Sequence, residues 1–210
     1  VTDVKRVNKR TQKAAETRRC ILEAARGLFV DHGYGATNMQ DVAARAGVAV
    51  QTIYFVFGNK RSLLKELVDV TIAGDDEPVA TMNRPWFRDA LAAATADAQL
   101  RAHVRGTREI LERVAVITKM VATAAATDAD VAQLWPHGEN PRFEVHTAAA
   151  KALVAKPGAR PGVSTETAAD LLYALLSTEL YLLFVRDRGW SPEQWEQWTY
   201  NTLRPQLCST

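Results

Sequence analysis

The chain has 210 residues, 47% of them hydrophobic and 24% charged, with a formal net charge of +2. That apolar share supports a packed core and excludes a disordered polyelectrolyte, while no run reaches the ~18 uninterrupted apolar residues of a membrane span; the nearest, Ala168 to Val185, contains Asp170 and Glu179. Charge is divided unevenly: residues 1–66 carry 12 Lys/Arg against 6 Asp/Glu, the remainder 14 against 18, so a basic third that attracts phosphates precedes a mildly acidic body.

Residues 1–16, with Lys5, Arg6, Lys9, Arg10 and Lys13 and few apolar partners, read as a flexible basic arm able to follow a DNA backbone or reach a minor groove. No apolar stretch follows it, so a signal peptide is not expected. Cys20 and Cys208 have no motif spacing and fit a reducing, cytoplasmic setting. A first helix is predicted from Thr17, with Ile21, Ala25, Leu28 and Phe29 on one apolar face and Gly33 as its stop. Thr37 or Asn38 caps a second helix that buries Met39, Val42, Ala43 and Ala46. Gly47 supplies the left-handed turn before a third, Ala49 to Phe57, whose Val48, Ile53 and Phe57 point inward and whose Gln51, Thr52 and Phe55 point outward. Two short helices about a glycine turn match a helix-turn-helix, whose second helix enters the DNA major groove. Asn59 caps a fourth helix to residue 73, closing a DNA-binding domain over 17–73.

Residues 74–210 form the second expected domain. Gly74 to Arg84 is a connection, Pro85 to Ala94 a short helix, and Asp97 opens a long one to Ala126 whose face carries His103, Thr107, Ile110, Val114, Ile117 and Val121. Asp128 starts a helix interrupted between Pro136 and Pro141 and ending by Pro157; Thr165 caps an apolar helix to Arg188; Ser191 and Pro192 start the last. The total is nine helices with no strand pattern, an all-α chain. The eighth is apolar around most of its circumference and the ninth has a greasy side, so both require covering. Pairing with a second copy through Leu172, Leu176, Leu180, Phe184, Trp195, Trp198 and Leu203 would form a four-helix interface.

The run ILEAARGLFVDHGYGATNMQDVA, the turn AGV, then TIYFVF and NKRSLL resemble the TetR family of bacterial transcriptional regulators, most densely over Thr17–Leu67. Residues 85–207 resemble it in architecture only, with RDRGWSPEQWEQW leading into the last helix. The resemblance implies a homodimer on a palindromic operator, released when a small molecule binds the C-terminal domain. It assigns base-edge contacts to Gln51 and Thr52, a phosphate to the Tyr54 hydroxyl, another to Lys60 at the start of helix four, and backbone contacts to Thr37 and Gln40, and it counts Val50 among the DNA-facing residues. Ala49 stands where a capping serine is common, and Val50 and Val56 where polar residues often touch phosphate. Lys9, Arg10 and Lys13 of the arm are therefore expected to supply the missing backbone contacts.

No Gly-rich phosphate loop, G-x-S-x-G or H-E-x-x-H occurs, and His32, His103, His137 and His146 lack metal-ligand spacing, so neither an enzyme nor a metal or other cofactor is expected. Effector-pocket candidates are Trp86, Phe87, His103, Thr107, Met120, Trp135, Phe143, His146 and Tyr173, for an apolar or aromatic ligand. His103 stands out, because a polar group on a core face needs a partner. Two other functions fit the same residues: an architectural DNA-binding protein of low specificity, and a helical small-molecule-binding protein with a vestigial helix-turn-helix.

Overall fold

The computed structural model describes residues 9–74, 80–134 and 141–209. Within them the chain is all-α, in eleven helical segments: α1 Lys9–His32, α2 Met39–Ala46, α3 Val50–Phe57, α4 Lys60–Ala73, α5 Pro85–Ala92, α6 Ala96–Ala125, α7 Ala129–Ala132, α8 Pro141–Val154, α9 Thr165–Leu175, α10 Thr178–Leu182 and α11 Pro192–Leu207. The nine expected helices become eleven because two of them divide. The 128–157 helix falls into α7 and α8 on either side of 135–140, which lie outside the described residues. The 165–188 helix breaks at Leu176, where Ser177 caps α10 by accepting from the Leu180 N–H at 3.2 Å. Serine competes for backbone donors wherever it falls within a helix, and α10 then ends in a π-turn over Leu183–Asp187.

The arm expected over 1–16, helical at most toward its end, is helical over its described part. The helix begins at Lys9, not Thr17, so Lys9, Arg10 and Lys13 sit on helical backbone; residues 1–8 lie outside the described residues. Of the two cap candidates for α2 the structure selects one, and the cap of α9 moves by one residue. Asn38, not Thr37, caps α2 in a reciprocal box with Asp41, its Oδ1 accepting from the Asp41 N–H at 2.9 Å while Asp41 Oδ2 accepts from the Asn38 N–H at 3.2 Å. Ser164, not Thr165, caps α9.

Contacts divide the chain into two compact units, Val1–Asp69 with Met120–Leu134, and Val70–Lys119 with Trp135–Thr210. A linear reading of domains at 17–73 and 74–210 could not see that 120–134 folds back onto the N-terminal unit, where Arg61 and Asp130 pair at 2.7 Å. In that unit Ile21, Phe29, Ile53, Leu63 and Leu64 are fully buried. α1 and α2 meet closely at Gly27, where a Cβ would lie 2.8 Å from Arg45 Nη2, and the same guanidinium pairs with Asp31 at 3.5 Å. Gly47, at φ 67°, ends α2, and the Val48 N–H closes the turn on the Ala43 carbonyl at 3.1 Å.

The second unit is built on Phe87, Leu100, Val104, Leu153, Leu172, Leu176, Trp195 and Leu203. Four of the expected dimer contacts, Leu172, Leu176, Trp195 and Leu203, are thus corrected to residues of its own core; Leu180, Phe184 and Trp198 keep partial exposure. α11 is tied to α6 by Asp97, which accepts from the Tyr200 hydroxyl at 2.6 Å and from Arg204 Nε at 2.8 Å. Lys156 ties the loop after α8 to the end of α5 by donating to the Leu91 and Ala93 carbonyls at 2.8 and 2.7 Å.

Removing the α2 cap isolates its contribution: Asn38→Ala is expected to lower unfolding free energy by about 1 kcal/mol, read as a shift in the urea midpoint with an unchanged slope.

Candidate nucleic-acid interface and effector site

α3 has eight residues and no side-chain cap, since Ala49 occupies its N-cap position. Isolated helices of this length are unstable in water, so α3 is held by the buried Ile53 and Phe57, one turn apart. Their burial fixes the rest of the helix. Gln51, Tyr54 and Phe55, three and four residues apart, share the solvent face; Tyr54 is 46% and Phe55 92% exposed. Val50, Thr52 and Val56 are half-buried on its flanks. Phe55 is the residue that sequence reasoning placed on the outward face without giving it a role. Its phenyl ring is the most exposed large hydrophobic side chain among the described residues.

Two expected phosphate ligands are turned inward. Thr37 is buried, with Oγ1 in hydrogen-bond reach of the Gly33 and Leu28 carbonyls at 3.0 and 3.3 Å, so it fastens the α1–α2 connection. Lys60 donates from Nζ to the Tyr34 carbonyl and lies 4.0 Å from the Tyr34 ring centroid; burial lowers its pKa. The helix N-terminus and the charge are present, but one Nζ–H is committed to the Tyr34 carbonyl. Gln40 and Lys13 are exposed. Arg18 pairs with Glu66, and Arg19 with Glu23 at 3.6 Å, so α3 presents an uncharged face among cations that are largely paired.

In the second unit, six of the nine pocket candidates form one chain of rings. Trp86 and Phe87 lie 6.1 and 6.0 Å from His103, His103 lies 5.3 Å from His146, His146 lies 6.3 Å from Tyr173, and Tyr173 lies 5.3 Å from Phe143. The helical spacing of His103 on α6 and of Phe143 and His146 on α8 brings these faces together. The buried His103 Nε2 and His146 Nδ1 are 3.1 Å apart, so one donates to the other. Burial holds His103 near a pKa of about 4; burial, then His103 and then Arg142, holds His146 at about 2. Both rings are neutral at pH 7. Arg142 sits 3.6 Å over the Tyr173 ring and donates to the Tyr173 carbonyl at 2.8 Å. Trp86 lies flat on Gly106, where a Cβ would meet it at 2.2 Å. Thr107 is buried one turn along α6, Met120 belongs to the other compact unit, and Trp135 lies outside the described residues. No group of three potential metal ligands occurs among the described residues.

Comparison with known proteins places both parts. Residues 21–67 match the family model described as bacterial regulatory proteins, tetR family. The transcriptional regulator TtgR of Pseudomonas putida is 40% identical over 63 residues, 30% of this chain and 30% of that protein; the match spans less than a third of the relative's length. A solved TetR-family transcriptional regulator from Mesorhizobium loti superposes with a TM-score of 0.68 at 19% identity, over 93% of this chain and 98% of that one. A regulator from Saccharomonospora viridis, solved with choline, gives 0.66 at 19% identity over 93% and 100%. At that identity the structural likeness carries the fold alone.

The neutral histidines set an acid limit. Their folded-state pKa values lie below the unfolded value, so below about pH 6.5 the unfolded chain takes up protons before the folded one. Stability is full at pH 7 and falls with pH through the window from 6.5 down to about 4 and then about 2. Urea unfolding at pH 5 should show a loss on the order of 2 kcal/mol per histidine kept neutral, and His146→Gln should flatten the slope between pH 7 and 5.

Proposed function

We propose that this chain, whose residues 21–67 match the tetR family model, is a cytoplasmic, dimeric transcriptional repressor that binds a palindromic operator and leaves it when a small apolar or aromatic molecule enters the second unit. The single observation that carries the DNA-binding part is the uncharged, exposed face of α3 formed by Gln51, Tyr54 and Phe55. Gln51 has the bidentate amide that suits an adenine edge, and the Phe55 ring suits a thymine methyl in the major groove. Thr52, on the flank, is a second base-edge contact, and the Tyr54 hydroxyl donates to a phosphate. Affinity without sequence information comes from Lys9, Arg10 and Lys13 on the first turns of α1.

The dimer is supported by what the second unit leaves uncovered. Of the most apolar 18-residue window in Thr165–Asp187, 39% is buried. Phe184 packs its ring 4.5 Å from Trp190 and 4.6 Å from Trp198, and Leu183 beside it is 48% exposed. A second copy seated on Leu180, Leu183, Phe184 and Trp198 would cover this patch. It would also supply the second reading head that a palindrome requires.

A gel shift with the region upstream of the protein's own gene tests the reading: binding that survives excess random DNA supports it, and binding no tighter than to random DNA favours the architectural function. Gln51→Ala and Phe55→Ala should each weaken specific binding by about 1–3 kcal/mol while leaving random-DNA binding unchanged. Replacing Lys9, Arg10 and Lys13 together with Gln should shallow the slope of log affinity against log salt by about 2–3. In sedimentation, Leu183→Asp should shift the protein to monomer and abolish operator binding.

A further inference from the structure

We propose that the effector is an uncharged aromatic molecule bearing one hydroxyl group, and that this hydroxyl pairs with Nδ1 of His103. The proposal rests on the effector reading above and names the chemistry that reading leaves open. His103 is 2% exposed, and its Nδ1 is buried with no hydrogen-bond partner among the described residues. Leaving such a group unpaired is costly, and a ligand that pairs with it recovers that cost. The rings around the histidine pair, Trp86 and Phe87 beside His103 and Tyr173 beside His146 with Phe143 next to it, favour a flat aromatic body.

The histidine pair dictates the polar group. Each neutral imidazole carries one proton. If His103 Nε2 donates to His146, its Nδ1 is an acceptor and wants a donor. If His146 Nδ1 donates to His103, the His103 proton sits on Nδ1 and wants an acceptor. The 3.1 Å contact is compatible with both arrangements, and a hydroxyl, being donor and acceptor at once, is the smallest group that satisfies either. Charge decides the remainder. Both histidines stay neutral, so the pair offers no counter-charge to an anion; the Arg142 guanidinium is held over the Tyr173 ring and on its carbonyl, away from His103, yet close enough to depress His146 and so to repel a cation. A quaternary ammonium, which aromatic rings alone would welcome, is therefore disfavoured.

Calorimetry on the full chain with 2-naphthol, 2-methoxynaphthalene, 2-naphthoate and choline tests this, together with release of DNA in the gel shift. The expected result is binding of 2-naphthol, about tenfold weaker binding of the methyl ether, weaker or no binding of naphthoate and choline, and release of the DNA by 2-naphthol. His103→Phe should lose the tenfold preference for naphthol over its ether, and His103→Asn, which restores a polar atom near the Nδ1 position, should recover part of it. Gly106→Ala, which pushes the Trp86 ring away from α6, should weaken both naphthalenes alike and keeps the test open should the His103 variants fail to fold. Failure of 2-naphthol to bind, equal binding of the ether, or tighter binding of choline or naphthoate overturns the proposal while the DNA-binding reading stands. Loss of specific DNA binding by the unliganded protein overturns the reading beneath it.

Discussion

The burial of Ile53 and Phe57 is the constraint on which the exposed face of α3 depends. α3 is too short to be stable alone and lacks a side-chain cap at Ala49. Two apolar side chains one turn apart convert that weak helix into a rigid one, because both are fixed in the core with Ile21, Phe29, Leu63 and Leu64. Helical periodicity then leaves no choice about what faces water: Gln51, Tyr54 and Phe55. The Asn38–Asp41 box sets where α2 begins and the Gly47 turn where it stops, so the exposed face of α3 is positioned by a cap, a turn and two hydrophobic anchors.

Much of this was legible in the sequence. The 3.6-residue period of Ile21, Ala25, Leu28 and Phe29, the glycine turn and the inward pair on α3 are local signals, and local signals define helices. The aromatic candidates of the second unit were also readable one by one, since each lies on a helical face. What the sequence did not reveal was tertiary. Lys60 reads as a phosphate ligand until the Tyr34 carbonyl, twenty-six residues away in sequence, takes its proton donor. Thr37 reads as a cap until Leu28 and Gly33 claim its hydroxyl. Leu172, Leu176, Trp195 and Leu203 read as an interface because apolar circumference looks the same whether a neighbouring helix or a second copy covers it. Phe55 was seen on the right face and left without a role, for nothing in a sequence states that a phenylalanine will be uncovered.

The two units handle polarity in opposite ways. In the N-terminal unit the cations are plentiful but engaged, Arg18 with Glu66, Arg45 with Asp31 and Arg61 with Asp130, and the exposed face of α3 is neutral. On the proposed function, sequence discrimination and electrostatic attraction then fall to different side chains, so either can change without the other. In the second unit two ionisable rings are stripped of charge by burial, and a hydrogen bond between them leaves one ring nitrogen of His103 unanswered. In the proposed effector site that unmet hydrogen bond would set selectivity, because it discriminates more sharply than apolar shape does.

The π-turn over Leu183–Asp187 gives the chain a length it has to keep. Its carbonyls receive N–H groups five residues on, as from Arg188 to Leu183 at 3.1 Å, and the Trp190 N–H reaches back to Phe184 at 3.0 Å. A one-residue deletion within the turn would restore the ordinary α count and rotate everything beyond it by about 100° about the helix axis. The stack of Phe184 on Trp190 and Trp198 would then come apart, although every side chain in it had been retained. In genetic terms, this stretch tolerates exchange of one apolar codon for another far better than it tolerates the loss of one.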